Sequence, residues 1–338
     1  MTDKIDFVVL WVDPNDKKWQ EERKKYAEKL QKSDGIDNDA SRYRDWDNFN
    51  YWFRGVEKFA PWVNKVHLVT NGQIPKWLNK DYPKLNIVNH SDIMPKETLP
   101  TFNSNAIEIF LHKIPGLSEQ FVAFNDDMFI TKKVKPTDFF KNGKPVNSMA
   151  LFAIRPVDVG QSRYRIIAKN TAIINKHFNF NKVKKQNLGK FLSLKQGPWI
   201  AFTYPLMLYK HFVGFRNFHI GVSYLKSTFE KVWKIEPDVL RATANNRFRD
   251  SSEDINHWLF NYWQFATGNF YQRRANFGAS KNIDDPKIPK LIEKQKYHIL
   301  CLNDPEKPDL DNSTEEIIKC RVNQSFDKIL KEKSKFEL

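Results

Sequence analysis

The sequence predicts an α/β protein: a mainly parallel central sheet with flanking helices, followed by a helical, basic second half. Three observations predict it. In the first half, short apolar runs of strand length alternate with segments of helical spacing. Two of the apolar runs, FVAFNDDMFI and KYHILCLND, end abruptly in Asn and Asp, as strands do when they reach a ligand-facing sheet edge. A hydrophobic fraction of 41%, of which aromatic residues make up a large share, excludes a disordered chain, and 338 residues supply ample core.

The elements follow in order. Ile5 to Val12 reads as a first, buried strand that ends at Asp13-Pro14-Asn15-Asp16. Trp19 to Leu30 is charged and helix-prone, and Ser33 to Ala40 is a polar loop. Trp46 to Phe59 places Phe49, Trp52, Phe53 and Val56 on one helical face. Val66 to Thr70 and Leu85 to Val88 are further strands. Asn103 to His112 reads as a helix, and Phe121 to Phe124 as a fourth strand. In the second half, Met149 to Ile154 and Thr171 to Ile174 are apolar runs. Val222 to Trp233 reads as an amphipathic helix ended by Pro237, and Ile255 to Thr267 as an aromatic helix stopped by Gly268. Tyr297 to Leu302 is expected to return to the sheet of the first half, and Glu315 to Leu330 to form a terminal helix with a frayed, lysine-rich tail. The chain thus divides into an N-terminal α/β half over 1–145, a C-terminal half over 146–304, and a terminal helix with a lysine-rich tail over 305–338.

The net charge of +15 is uneven: +2 over residues 1–150 and +13 over the remainder. Such a field draws polyanions: nucleic acid, anionic lipid or phosphorylated sugars. Aromatic residues in the basic half follow core-like helical spacing and no RNA-binding motif occurs, so nucleic acid is not the expected partner. No run of apolar residues is long enough to span a bilayer, and the N-terminus lacks a signal peptide's basic flank and cleavage site. Cys301 and Cys320 are too few for a disulfide framework or a zinc site. The expected location is cytoplasmic, with peripheral attachment to an anionic membrane surface through the basic half and tail. Neither a P-loop nor a GxGxxG is present.

The candidate chemistry lies in a few places. Asp126 and Asp127 end one strand and Asn303 and Asp304 another; each pair reads as a solvated turn or as a seat for a cation. Arg247 and Arg249 stand two apart; they read as a solvated turn, or, in extended chain, as two guanidiniums on one face, suited to a diphosphate. Ser104 and Glu108 share a helical face, as a capping motif or as part of a site. His219 is either structural or a general acid–base.

IDFVVLWVDPND, the stretch from RDWDNFNYWFRGVEKF through LPTFNSNAIEIF to FVAFNDDMFI, HIGVSYLKSTFEKVWKIEPDVLRATANNRFRDSSEDINHWLFNYWQFATG and HILCLND occur in that order over residues 5–304. Together they resemble the Stealth family of bacterial capsular and cell-wall polysaccharide phosphotransferases, whose conserved regions also occur in the catalytic part of the lysosomal-enzyme GlcNAc-1-phosphotransferase. Pro14 and Ile220-Gly221 depart from the family's usual residues. The resemblance implies a Rossmann-like or glycosyltransferase-A-like core. It implies transfer of a hexose- or N-acetylhexosamine-1-phosphate from a UDP-sugar such as UDP-GlcNAc to a glycan hydroxyl, with UMP leaving. It places the family's functional residues on Ser104, Glu108, Asp127, His219, Arg249 and Asn303, with Asp126, Arg247 and Asp304 beside them. Asp127 and Asn303, assisted by Asp126 and Asp304, would hold Mg²⁺ or Mn²⁺. Arg249 and Arg247 would bind phosphate, His219 would take the acceptor's proton or orient the donor, and Glu108 and Ser104 would hold sugar. The other readings are a metal-dependent glycosyltransferase that releases UDP and a non-catalytic polyanion-binding protein.

Overall fold

A computed structural model describes residues 4–29, 36–37, 44–154, 162–305 and 310–338. The elements that frame the site are, in chain order, β1 (Ile5–Leu10), α1 (Lys17–Ala27), α2 (Phe49–Phe59), β2 (Val66–Thr70), β3 (Leu85–Asn89), α3 (Ser104–Glu108), β4 (Gln120–Asn125) and β5 (Met128–Ile130). They continue as α4 (Ser162–His177), α5 (Ile200–Leu206), β6 (Val222–Leu225), α6 (Lys226–Ile235), α7 (Pro237–Asn245), α8 (Trp258–Ala266), β7 (Gly278–Asn282), β8 (Ile299–Asn303) and α9 (Asn312–Ile329). Of the loop expected over Ser33–Ala40, only Ile36–Asp37 lies within the described residues, as a two-residue strand.

The main sheet has the order β3-β2-β1-β4-β6. β3, β2, β1 and β4 are parallel, and β6 closes the edge antiparallel to β4. The period of two along a strand sends alternate side chains to opposite layers. Phe7 and Val9 of β1, with Val122 and Phe124 of β4, enter one core; Val8, Phe121 and Ala123 enter the other. The expected α2 face of Phe49, Trp52, Phe53 and Val56 is buried in the first core. Gly55 of α2 lies so close to β5 that a Cβ there would stand 2.6 Å from the Ile130 carbonyl oxygen.

Four expectations are corrected. Val222 to Trp233 is not one helix: Val222–Leu225 is a strand, buried at every position, and α6 begins at Lys226. One neighbour and the segment's own residues decide this: β4 offers an open edge, and Val-Ser-Tyr-Leu suits a buried strand. Asn103 to His112 is α-helical only through Glu108, with a 3₁₀ turn at Leu111–Lys113. The strand near Tyr297 does not join the main sheet, whose edges β3 and β6 already occupy. It becomes β8, in a smaller sheet between β7 and β5, and β5 is the continuation of β4 past the Asp126-Asp127 turn. The end of the chain is not frayed. Phe336 is buried against Phe53 and Tyr82, and Glu337 pairs with Arg54 at 2.8 Å.

Candidate active site

β1 and β4 end in register, Leu10 opposite Asn125, so the chain segments that follow both strands open on the same side. There a cleft of about 130 Å³ is lined by Trp11, Pro14, Asp45, Trp46, Asp126 and Asp304 among others. Its carboxylates crowd one another. Desolvation, then the Asp127 charge beside it, pushes the Asp126 carboxyl up to about 8. Desolvation also raises Asp127, against the favourable charge of His219. Asp304 is raised by desolvation although Trp46 Nε1 donates to its Oδ1 at 2.7 Å. Asp127 Oδ1 is buried and has no hydrogen-bond partner among the described residues.

The turn that carries Asp127 sits against β8, where Leu302 N donates to the Asp127 carbonyl at 2.9 Å. Cys301 Sγ donates to Asp127 Oδ2 and lies the same 3.3 Å from Asn303 Oδ1. Asn303 Nδ2 in turn donates to Ser280 Oγ at 2.6 Å. His219 Nε2 lies 4.0 Å from Asp127 Oδ2. Asp127, His219 and Cys301 thus bring one ligand atom each within 4.8 Å of one another. The loop before β6 aims the histidine. His219 has φ +47°, a left-handed conformation that a side chain adopts only when its surroundings impose it. Two residues on, a Cβ at Gly221 would stand 2.5 Å from the Phe124 ring, so only glycine lets this loop descend onto β4.

A second group faces them. Arg249 lies on a two-residue strand paired with Ile36–Asp37, and its guanidinium donates to Ser104 Oγ at 2.6 Å. Glu108, one turn along α3, is buried; desolvation raises its carboxyl to about 7 against the pull of the Arg249 charge. His257 Nε2 is 3.8 Å from Glu108 Oε2, and burial depresses this imidazole to about 3, so it is neutral. Tyr224 OH donates to the His257 carbonyl at 3.0 Å. The ring of Trp258 lies parallel to that of His219, 6.5 Å apart, and edge-on to that of His257, 5.7 Å apart, and so links the two groups. Asn103 and Asp254 hold the loop that carries Arg249. Asn103 Nδ2 donates to Asp254 Oδ2 at 2.9 Å and to the Asn246 carbonyl at 3.0 Å, and Asp254 Oδ2 also accepts from Asp250 N at 3.1 Å.

Residues 42–147 match Stealth protein CR2, conserved region 2, and residues 3–31 match Stealth protein CR1, conserved region 1. The capsular polysaccharide phosphotransferase WcwK of Streptococcus pneumoniae is 41% identical over 337 residues, 99% of this chain and 98% of that one. The chain belongs to the Stealth family of polysaccharide phosphotransferases. The receptor polysaccharide phosphotransferase WefC of Streptococcus oralis is 40% identical, over 99% of each chain. The solved galactosyltransferase LgtC, in complex with donor and acceptor sugar analogues, aligns loosely: 10% identity, a TM-score of 0.38, over 94% of this chain and 95% of that one. This Stealth protein is therefore an enzyme, a transferase that carries out phosphotransfer in polysaccharide synthesis.

The residues expected from the sequence of this Stealth protein fall into three places. Asp127, His219 and Asn303 meet around Cys301, and Asp126 and Asp304 line the adjoining cleft. Ser104, Glu108 and Arg249 meet around the Arg249 guanidinium. Arg247 is not brought to that group. Its guanidinium donates to the carbonyls of Pro100 and Glu97 and lies over the Tyr26 ring, while its own carbonyl accepts from Phe102 N. Only Arg249–Asp250 is strand; Arg247 and Phe248 lie in a bend before it, so the extended geometry that would have put both guanidiniums on one face is not formed, and Phe248 stacks on Phe102. Sequence reasoning missed His257, Asp254, Cys301, Asp45 and Trp46. All five stood in recognised stretches, His257 and Asp254 in SSEDINHW, Cys301 in HILCLND, and Asp45 and Trp46 in RDWDNFNYWF; the first two carried a further signal, since polar residues that precede an aromatic helix need buried partners.

The donor set fits a divalent cation. It offers carboxylates whose charges repel one another, one buried carboxylate oxygen with no partner among the described residues, and the amide oxygen of Asn303. The buried Cys301 thiol is pushed well above its ordinary range and stays protonated. That favours a hard, oxygen-ligated ion over a thiolate-bound one.

Proposed function

We propose that this Stealth protein moves a hexose- or N-acetylhexosamine-1-phosphate from a UDP-sugar to a hydroxyl of a glycan, releasing UMP and forming a phosphodiester link. The observation that carries the reading is the Arg249–Ser104 contact beside buried Glu108, facing the His219–Asp127 pair across the Trp258 ring. Phosphoryl transfer needs in-line positioning and charge stabilisation more than covalent chemistry, and these two groups supply both. Arg249 forks onto two oxygens of the sugar-bearing phosphate. Glu108, whose carboxyl is raised to about 7 and so is protonated in about half of the molecules at pH 7, donates to a sugar hydroxyl in that form, and Ser104 Oγ holds Arg249 in line. His219 takes the proton of the acceptor hydroxyl as its oxygen bonds to the sugar-bearing phosphorus. The bond from that phosphorus to the bridging oxygen breaks, and the oxygen leaves on UMP. Asp127, Asp126, Asp304 and Asn303 would hold Mg²⁺ or Mn²⁺, which when bound neutralises diphosphate charge.

The acceptor in this reading is a lipid-linked glycan at the cytoplasmic face of the membrane. Among the described residues no helix is long and apolar enough to cross a bilayer. The test is to incubate the purified protein with a panel of nucleotide sugars, a glycan acceptor and Mg²⁺ or Mn²⁺, and to resolve the nucleotide product. UMP together with a new phosphodiester is expected. UDP with a new glycosidic bond would instead make the protein an ordinary glycosyltransferase.

A further inference from the structure

Exposed apolar side chains are concentrated in one part of the surface. Among the described residues, six of the ten exposed large apolar side chains fall between positions 188 and 209: Leu188, Leu194, Phe202, Tyr204, Leu208 and Tyr209. Leu194 is 86% exposed and Leu208 82%, values close to those of an unfolded chain. Around α5 and the turn that follows it, the outward positions are apolar while Thr203 faces inward.

The segment is nevertheless firmly held. Thr203 Oγ1 donates to Gln196 Oε1 at 2.6 Å and accepts from Leu151 N at 3.0 Å, both buried. Gln196 Nε2 donates to the Phe191 carbonyl at 2.6 Å, and Lys184 Nζ to the Met207 carbonyl at 2.7 Å. Buried polar groups thus fix the inner side of a segment whose outer side is left exposed by the described residues. A contiguous apolar face of this kind marks a surface built for a partner.

Charge identifies the partner. Between Asp158 and Glu230 the sequence has no Asp or Glu, and it has twelve Lys and Arg. Lys182, Lys185, Lys195 and Lys210 are exposed beside the apolar residues. A fully basic rim around Leu, Phe and Tyr matches an anionic lipid surface: the rings and aliphatic side chains enter the headgroup region, and the ammonium groups meet lipid phosphates.

We propose that the face formed by α5 and its flanking turns docks on an anionic bilayer as an interfacial wedge. The inference rests on the reading of a lipid-linked acceptor, and it gives that reading a geometry. Trp199, just before α5, is stacked under Arg216 at 3.9 Å and meets the Phe218 ring edge-on at 6.3 Å. Phe218 directly precedes His219. The docking face therefore adjoins the loop that carries the acceptor-side histidine. The C-terminal segment over 305–338 has seven Lys and Arg against eight Asp and Glu and is packed against the body through Phe336, so it is not the anchor.

The test uses the full chain and vesicles of phosphatidylcholine with or without phosphatidylglycerol. Wild type is expected to sediment with the anionic vesicles and to be released by salt. Phe202→Ser with Leu208→Ser should weaken binding at least about tenfold, since two side chains lose their apolar insertion. Lys331→Ser with Lys333→Ser should bind as wild type does. Melting temperature and turnover of a water-soluble acceptor should be the same in all three proteins. Absence of wild-type binding to anionic vesicles, or undiminished binding by the Phe202/Leu208 variant, would overturn the proposal. So would a wild-type dimer in sedimentation velocity that this variant splits, because the face would then belong to a second copy. A protein that binds vesicles through this face but releases no UMP would sink the donor reading and leave the docking intact.

Discussion

The Arg249 guanidinium donates to Ser104 Oγ at 2.6 Å although the two residues stand 145 positions apart in the chain. Arg249 arrives on a two-residue strand braced by Asp254, and Ser104 on the first turn of α3, where the Asn103 side chain caps the backbone and reaches Asp254 as well. One buried asparagine–aspartate pair therefore sets the separation of a cation and a hydroxyl.

Arg249→Lys is expected to lower turnover about a hundredfold, a loss of about 3 kcal/mol of transition-state stabilisation, although the charge is kept. An ammonium cannot bridge two phosphate oxygens and hold Ser104 at the same time. Steady-state kinetics with the preferred nucleotide sugar check this. Near-normal turnover would reduce Arg249 to a surface charge.

Asp127→Asn is expected to abolish a Mn²⁺-dependent rise in melting temperature that wild type shows, and to remove most turnover while the circular dichroism spectrum is kept. Chelation with EDTA should silence wild type, and added Mg²⁺ or Mn²⁺ should restore it. Full activity in excess chelator would rule the cation out.

His219→Ala is expected to cut turnover by roughly a hundred- to ten-thousandfold, the usual contribution of a positioned proton acceptor, with little change in donor affinity. Calorimetric donor binding and kinetics on the same sample decide it. A purely structural histidine would lower melting temperature and leave the rate per folded molecule unchanged.

Glu108 links stability to pH. Its carboxyl stands at about 7 in the folded protein against 4.5 in the unfolded chain. Between those values the folded state keeps a proton that the unfolded chain has released, so stability falls as pH rises from about 4.5 to about 7. The effect is on the order of 3 kcal/mol across that window. Glu108→Gln, which cannot ionise, should be more stable than wild type near pH 7 and should lack this component of the slope. Urea unfolding at several pH values measures it, and a parallel pH dependence in the two proteins would refute it.

Much of this was legible in the sequence because burial and facing are local properties. The aromatic face of α2 follows from a period of 3.6, and β1, β2, β3 and β4 from apolar runs of strand length. The Asn-Asp strand ends and the Ser104, His219 and Arg249 motifs were visible as residues whose chemistry is out of place in a core. What the sequence by itself could not determine was which edges and faces meet. β6 reads as the start of a helix until β4 offers it an edge, and β8 finds its partner only because the Asp126-Asp127 turn carries β5 out of a sheet whose edges are already taken. Arg247 and Arg249 look alike in the chain, yet the stacking of Phe248 on Phe102 turns one towards backbone carbonyls and the other towards Ser104. Local pattern encodes how deeply a residue is to be buried and on which side of its element. The identity of its neighbour is set by long-range packing, in which each element takes the partner that the others have left open.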